Sequence, residues 1–96
     1  MAEFIKQPGK DCGDVKIYAL STCGWCRKTK AFLNDNGVAY SYMDVDLLAG
    51  DDREDAITQV KLFNPRCSFP TVVINGGESV IVGFDEEKLK DLQNGK

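Results

Sequence analysis

The chain has 96 residues, 43% hydrophobic and 28% charged, which is enough for one domain around a single core and too little for a second. Its 12 Lys and Arg against 15 Asp and Glu leave a net charge of -3, so there is no general attraction to a phosphate backbone, and nucleic acid is a poor partner. Histidine is absent, which excludes Ser-His, Cys-His and His-ligated metal chemistry, and no apolar run approaches the roughly 20 residues of a membrane span.

Residues 1–13 hold Pro8-Gly9 and Gly13, mix charges and keep no period, so they read as an N-terminal arm ahead of a domain at 14–96. The arm lacks the apolar core of a secretory signal, and the simplest expectation is a cytoplasmic protein. Residues 15–20, with Val15, Ile17 and Tyr18, have the pattern of a strand buried on both faces. Trp25, Thr29, Phe32 and Leu33 then recur at helical spacing up to Asn36-Gly37, which predicts a helix over about 24–36. A second strand over 38–45 follows, and a strand-helix-strand unit of this length predicts a parallel pair with a right-handed crossover. Asp51 and Asp52 precede Ala56, Ile57, Val60 and Phe63, a second helix stopped by Asn64-Pro65. The β-branched runs 71–74 and 79–82 flank Asn75-Gly76-Gly77-Glu78, a hairpin signal. Asp85 caps a last amphipathic helix. The order is β-α-β-α-β-β-α, an α/β fold with a mixed four-stranded sheet and three helices.

Cys23-Gly24-Trp25-Cys26 stands where the first of these strands hands over to the first helix. A thiol at a helix N-terminus faces unpaired backbone N–H groups and the positive end of the helix dipole, both of which favour thiolate. Cys23 is therefore the expected nucleophile, with Arg27, Lys28 and Lys30 as minor electrostatic support. Cys26, three residues on, shares its side of the helix and is the expected resolving thiol. The cycle this implies is attack by Cys23 on a disulfide, a transient mixed disulfide, and displacement of the product by Cys26. Two other readings of the cysteines are weaker. Structural disulfides suit exported mini-proteins without a core, and a zinc site needs a second Cys/His pair, whereas Cys12 and Cys67 are single.

Three separated motifs make the chain resemble the glutaredoxin family of the thioredoxin superfamily from about Val15 to Leu92. They are the Cys23/Cys26 dithiol, Ser68-Phe69-Pro70-Thr71, and Gly83-Phe84-Asp85-Glu86. The resemblance implies a thioredoxin-like fold with a cis-proline at Pro70, facing the dithiol. It implies a disulfide oxidoreductase in which the backbone of Phe69 pairs with an extended thiol peptide, and Gly83, Phe84 and Glu86 hold the substrate's amino and carboxyl groups. Trp25 and Arg27 complete the expected substrate-binding set. Bound metal or cofactor is not implied, and glutathione or another low-molecular-weight thiol is the implied co-substrate. The implied partners of a monomer are disulfide-containing proteins or small thiols, and a thiol or reductase donor.

The chain also departs from the family pattern. Gly24-Trp25 replaces the common Pro-Tyr between the cysteines, and Ser21, Thr22 and Cys67 stand where glutathione-binding members often have basic residues. The Gly83-Phe84 pair is similar to the glutaredoxin-like electron donors of ribonucleotide reductase, which draw on thioredoxin reductase. An iron–sulfur cluster carrier, using Cys23 with an external thiol, is the alternative function that the resemblance suggests. Trp25 beside a nucleophile reads better as a substrate contact than as idle surface. Cys67 reads as filler or as a third redox thiol, and Cys12 as incidental. Tyr18, Tyr40, Tyr42, Phe32 and Phe63 read as core or sheet surface.

Overall fold

The computed structural model describes residues 4–11 and 13–93. In chain order the elements are β1 (Ile5–Gln7), β2 (Val15–Ala19), α1 (Gly24–Asp35), β3 (Tyr40–Asp44), α2 (Gly50–Phe63), β4 (Thr71–Ile74), β5 (Ser79–Val82) and α3 (Glu86–Gln93). A single 3₁₀ turn, Val45–Leu47, follows β3, and another, Asn75–Gly77, links β4 to β5. No helix among the described residues is long and apolar enough to cross a membrane.

The strands form one mixed sheet in the order β1-β3-β2-β4-β5. β2 runs parallel to β3, the pairing that needs a helical crossover, and α1 supplies it. β4 is antiparallel to β2 with Tyr18 opposite Thr71, and β5 returns antiparallel to β4 with Thr71 opposite Val82. This is the thioredoxin-like α/β arrangement expected from the sequence, with one addition. The sheet has five strands rather than four, because Ile5–Gln7, read from the sequence as part of an arm, pairs antiparallel with Tyr40–Tyr42. The chain then crosses the loop after α1 through Lys10, whose N–H donates to Gly37 O at 2.6 Å and whose carbonyl accepts from Ala39 N–H at 2.9 Å. Gly9 permits the approach, since a Cβ there would sit 2.6 Å from Ala39 N.

Side chains alternate along β2, so the sheet has two apolar faces. Val15, Ile17 and Ala19 pack on one face with Cys26 and Leu33 of α1, Leu89 of α3, and Val72, Ile74 and Ile81 of the hairpin. Tyr18, Met43 and Val73 face the other way, onto Ala56 and Val60 of α2. The central strands are thus covered on both sides, which accounts for the unbroken burial of Thr71–Ile74. Asp51 and Asp52 in the first turn of α2 and Lys61 in its last complement the helix dipole. Gly37, at φ +67°, carries the chain out of α1 in the left-handed conformation.

Candidate active site

Cys23 is the N-cap of α1, with extended backbone (φ −84°, ψ 120°), and its Sγ accepts a hydrogen bond from Cys26 N–H at 3.3 Å. A sulfur therefore occupies the position where a Ser, Thr or Asp oxygen usually satisfies a free helix amide. The first turn of α1 carries no acidic side chain to compete for that positive end. Cys23 is half-buried, whereas Cys26 is 0% exposed, and its Sγ accepts from Leu20 N–H at 3.5 Å. Burial first, then the hydrogen bond with Cys23, pushes the Cys26 thiol up to about 12. The pair is unequal by construction: one sulfur is reachable, and the other is sealed beneath it and held protonated.

The turn that delivers Cys23 is clamped from a distant point in the chain. Asp46, in the turn after β3, accepts Ser21 N–H at 2.8 Å and the Ser21 hydroxyl at 2.6 Å. These bonds hold the Asp46 carboxyl below its ordinary range, the hydroxyl contributing most. Arg27 Nη2 donates to Ser21 O at 3.4 Å on the exposed side.

The loop ahead of β4 forms the other side of the site. The Phe69–Pro70 peptide bond is cis, as the resemblance implies. With Tyr18 opposite Thr71, Pro70 lies beside the end of β2, where the chain turns toward Cys23. Asn64 braces this loop: it is 4% exposed, and its Nδ2 donates to Ser68 Oγ at 2.9 Å and Thr71 Oγ1 at 3.1 Å. Pro70 O accepts Gly83 N–H at 2.8 Å, which ties the β5–α3 loop to the same place. Gly83 sits at φ +77°, where a side chain would be strained. Phe84 follows, and its ring stacks on Trp25 at 6.1 Å and meets Phe32 edge-on at 6.2 Å. Trp25 is 57% exposed, with Lys28 Nζ 4.5 Å from its ring centroid.

Cys23, Phe69 and Phe84 thus pack on one core cluster that contains Cys26, and Trp25, Pro70 and Gly83 join them through the contacts above. Arg27 borders the group through Ser21. Glu86 stands apart from these contacts, exposed on α3, where it faces Lys90 at 4.0 Å. Cys67 is half-buried against the second cluster, as Phe69 also is, with its backbone at φ +52°. Cys12 falls outside the described residues. Cys23, Cys26 and Cys67 are free thiols, and no metal-ligating group of three or more His, Cys, Asp and Glu occurs among the described residues. Of the expected ring residues, Tyr18 and Tyr40 are buried core, and Phe32 doubles as a support for Phe84. Sequence reasoning missed Asp44 and Asp46, since nothing local to Asp44-Val45-Asp46 marks either residue as a partner of α1 or the loop before it.

A family model described as Glutaredoxin matches residues 15–80. Glutaredoxin 1 of Rickettsia bellii is 34% identical over 86 residues, covering 83% of this chain and 86% of that protein. Among solved structures, the glutaredoxin of Methanosarcina mazei Go1 superposes with a TM-score of 0.85 at 44% identity, over 96% of this chain and 88% of the other. The methanoredoxin of Methanosarcina acetivorans gives a TM-score of 0.83 at 47% identity, over 88% of each chain.

Proposed function

Because the chain belongs to the glutaredoxin family of thiol–disulfide oxidoreductases, we propose that it reduces protein or small-thiol disulfides with Cys23 as nucleophile and Cys26 as resolving thiol. The observation that carries this reading is the Cys23 Sγ seated at the α1 N-cap, 3.3 Å from the Cys26 amide and above a Cys26 that is 0% exposed. Helix-end amides accommodate the negative charge of an attacking or departing sulfur, and the accessible thiol of the pair is the one that can attack a substrate disulfide first. The concealed thiol acts only once the first is occupied. Two of the influences that keep Cys26 protonated, the hydrogen bond and the charge of Cys23, disappear when Cys23 is tied up in a mixed disulfide.

In this reading Phe69 lends its backbone to an extended thiol substrate beside Pro70, while Trp25 and Phe84 form an adjoining aromatic wall. Gly83 contributes bare backbone beside Pro70, and Glu86 and Arg27 offer a carboxylate and a guanidinium to the charged ends of a small thiol peptide. Glutathione or another low-molecular-weight thiol is the proposed reductant, and a thioredoxin reductase is the competing donor. Oxidised protein offered glutathione, other small thiols and a thioredoxin reductase in parallel identifies the donor. Cys23→Ser is expected to abolish all turnover, while Cys26→Ser keeps mixed-disulfide exchange at Cys23. Equal loss in both variants, or in neither, refutes the division of labour.

A further inference from the structure

Lys30 lies one turn beyond Cys26 on the same face of α1. A long helical side chain leans back toward the N-terminus of its helix, which here is toward Cys26. Its ammonium does not drift into solvent. Nζ is 2.9 Å from Asp44 Oδ1, the two side chains being 19% and 15% exposed, and it sits 4.0 Å from the centroid of the Tyr42 ring. Tyr42 and Asp44 are alternate residues of β3 and share a face of that strand, so they hold the charge between α1 and the sheet. Arg27 and Lys28, by contrast, are exposed.

Cys26 Sγ also accepts from Leu20 N–H, and the cluster around it is apolar: Ile17 and Ala19 of β2, Val72 of β4, Ile81 of β5 and Leu89 of α3 are members. The titratable groups that bear on it are Cys23 and Lys30 from α1. Asp44 and Tyr42 of β3 bear on Lys30, Tyr40 stands beside Tyr42 with ring centroids 6.3 Å apart, and Asp46 is engaged by Ser21. Burial and Cys23 both oppose ionisation of Cys26; the Leu20 N–H works against them, and after it the Lys30 charge, which alone of the two belongs to a replaceable side chain.

We propose that Lys30, anchored by Asp44, is a positioning residue for the resolving half of the reaction, its fixed ammonium supporting the negative charge that Cys26 Sγ must carry when it attacks. This rests on the preceding reading, in which Cys26 resolves the mixed disulfide. In the step concerned the Cys26 S–H bond breaks and Cys26 Sγ bonds to Cys23 Sγ. The bond from Cys23 Sγ to the substrate sulfur breaks, and the departing thiolate takes the electron pair and the proton. The mixed disulfide is the oxidant, so no other reagent is required. A desolvated thiol passes through this step as an anion, and a held cation nearby lowers that barrier more than a solvated one would.

The test uses the full chain with Cys12 and Cys67 replaced by serine and Ellman's reagent as the probe. Loading of Cys23 releases one equivalent of nitrothiobenzoate, and resolution by Cys26 releases a second. Lys30→Met keeps the apolar stem and is expected to slow the second release roughly tenfold and move its pH–rate curve upward, with the first release unchanged. Lys30→Arg is expected to restore most of the rate, and Lys30→Gln replaces the Met variant if that fails to fold. An unaltered second release in Lys30→Met, or an Arg variant as slow as the Met variant, overturns the role of the charge and leaves the dithiol reading intact. A parent protein that gives no first release overturns the dithiol reading itself.

Discussion

Replacing Cys26 by alanine should change how the reduced protein's stability depends on pH. The folded chain holds this thiol protonated from its ordinary value of 9.0 up to about 12. Between those limits the unfolded chain has released the proton and the folded chain has not, so the folded state binds more protons and stability falls as pH rises. The contribution is fully present below pH 9, where both states are protonated, and it is exhausted as pH passes through the folded value. Each pH unit is worth about 1.4 kcal/mol, so the whole window amounts to about 4 kcal/mol as an upper figure. Between pH 9 and about pH 10.5 the reduced parent should lose about 2 kcal/mol more than Cys26→Ala. Urea unfolding under strong reductant, at steps across that range, reads the difference directly. Tyr18 and Tyr40, whose phenols burial also pushes up, contribute equally to both proteins and cancel. The disulfide form has no thiol at this position and should also lack the extra slope. Parallel stability curves for the reduced parent and the variant would show that Cys26 is not held protonated by the fold, and the argument for its delayed action would fail with it.

Leu33→Ala removes a side chain that is 0% exposed between α1 and the sheet, and should cost about 2–5 kcal/mol in urea unfolding. A loss under about 1 kcal/mol would mean that α1 is not packed as described. Asp46→Asn exchanges a carboxylate held below its usual value of 3.8 by Ser21 for a neutral amide. The stabilisation from that carboxylate is present above pH 3.8 and lost as pH falls through the depressed folded value, so acid unfolding should be steeper in the parent than in the variant. Superimposable acid transitions would remove Asp46 as the clamp of the loop before Cys23.

What could be read from the sequence was what short stretches of chain decide for themselves. The helix over Gly24–Asp35 and its glycine exit, the acidic start of α2, and the hairpin at Asn75-Gly76-Gly77 follow from spacing and turn chemistry within a few residues. The placement of Cys23 at a helix N-cap was equally local. β1 was not legible, because Ile5-Lys6-Gln7 is short and half polar, and gains its strand character only from Tyr40–Tyr42, far along the chain. The same holds for the Ser21–Asp46 clamp, 25 residues apart, and the Lys30–Asp44 pair, 14 apart. Each depends on β3 lying parallel to β2, and a pairing that is set by topology leaves no mark on its members. Trp25 and Phe84 were each singled out from the sequence, yet their stacking follows only from the way the hairpin returns the loop after β5 to the start of α1.

The strand Ile5–Gln7 also sets what one edge of the sheet presents to a second copy of this chain. It closes the sheet beyond β3 with a ledge of roughly 10 Å, bearing the exposed Lys6 and ending at Pro8, which has no N–H to offer. A second molecule trying to add its own backbone there would find few amides to bond and a positive charge in the way. The least regular stretch of the sequence thus gives the sheet, at this edge, a short and charged border of the kind that discourages backbone addition.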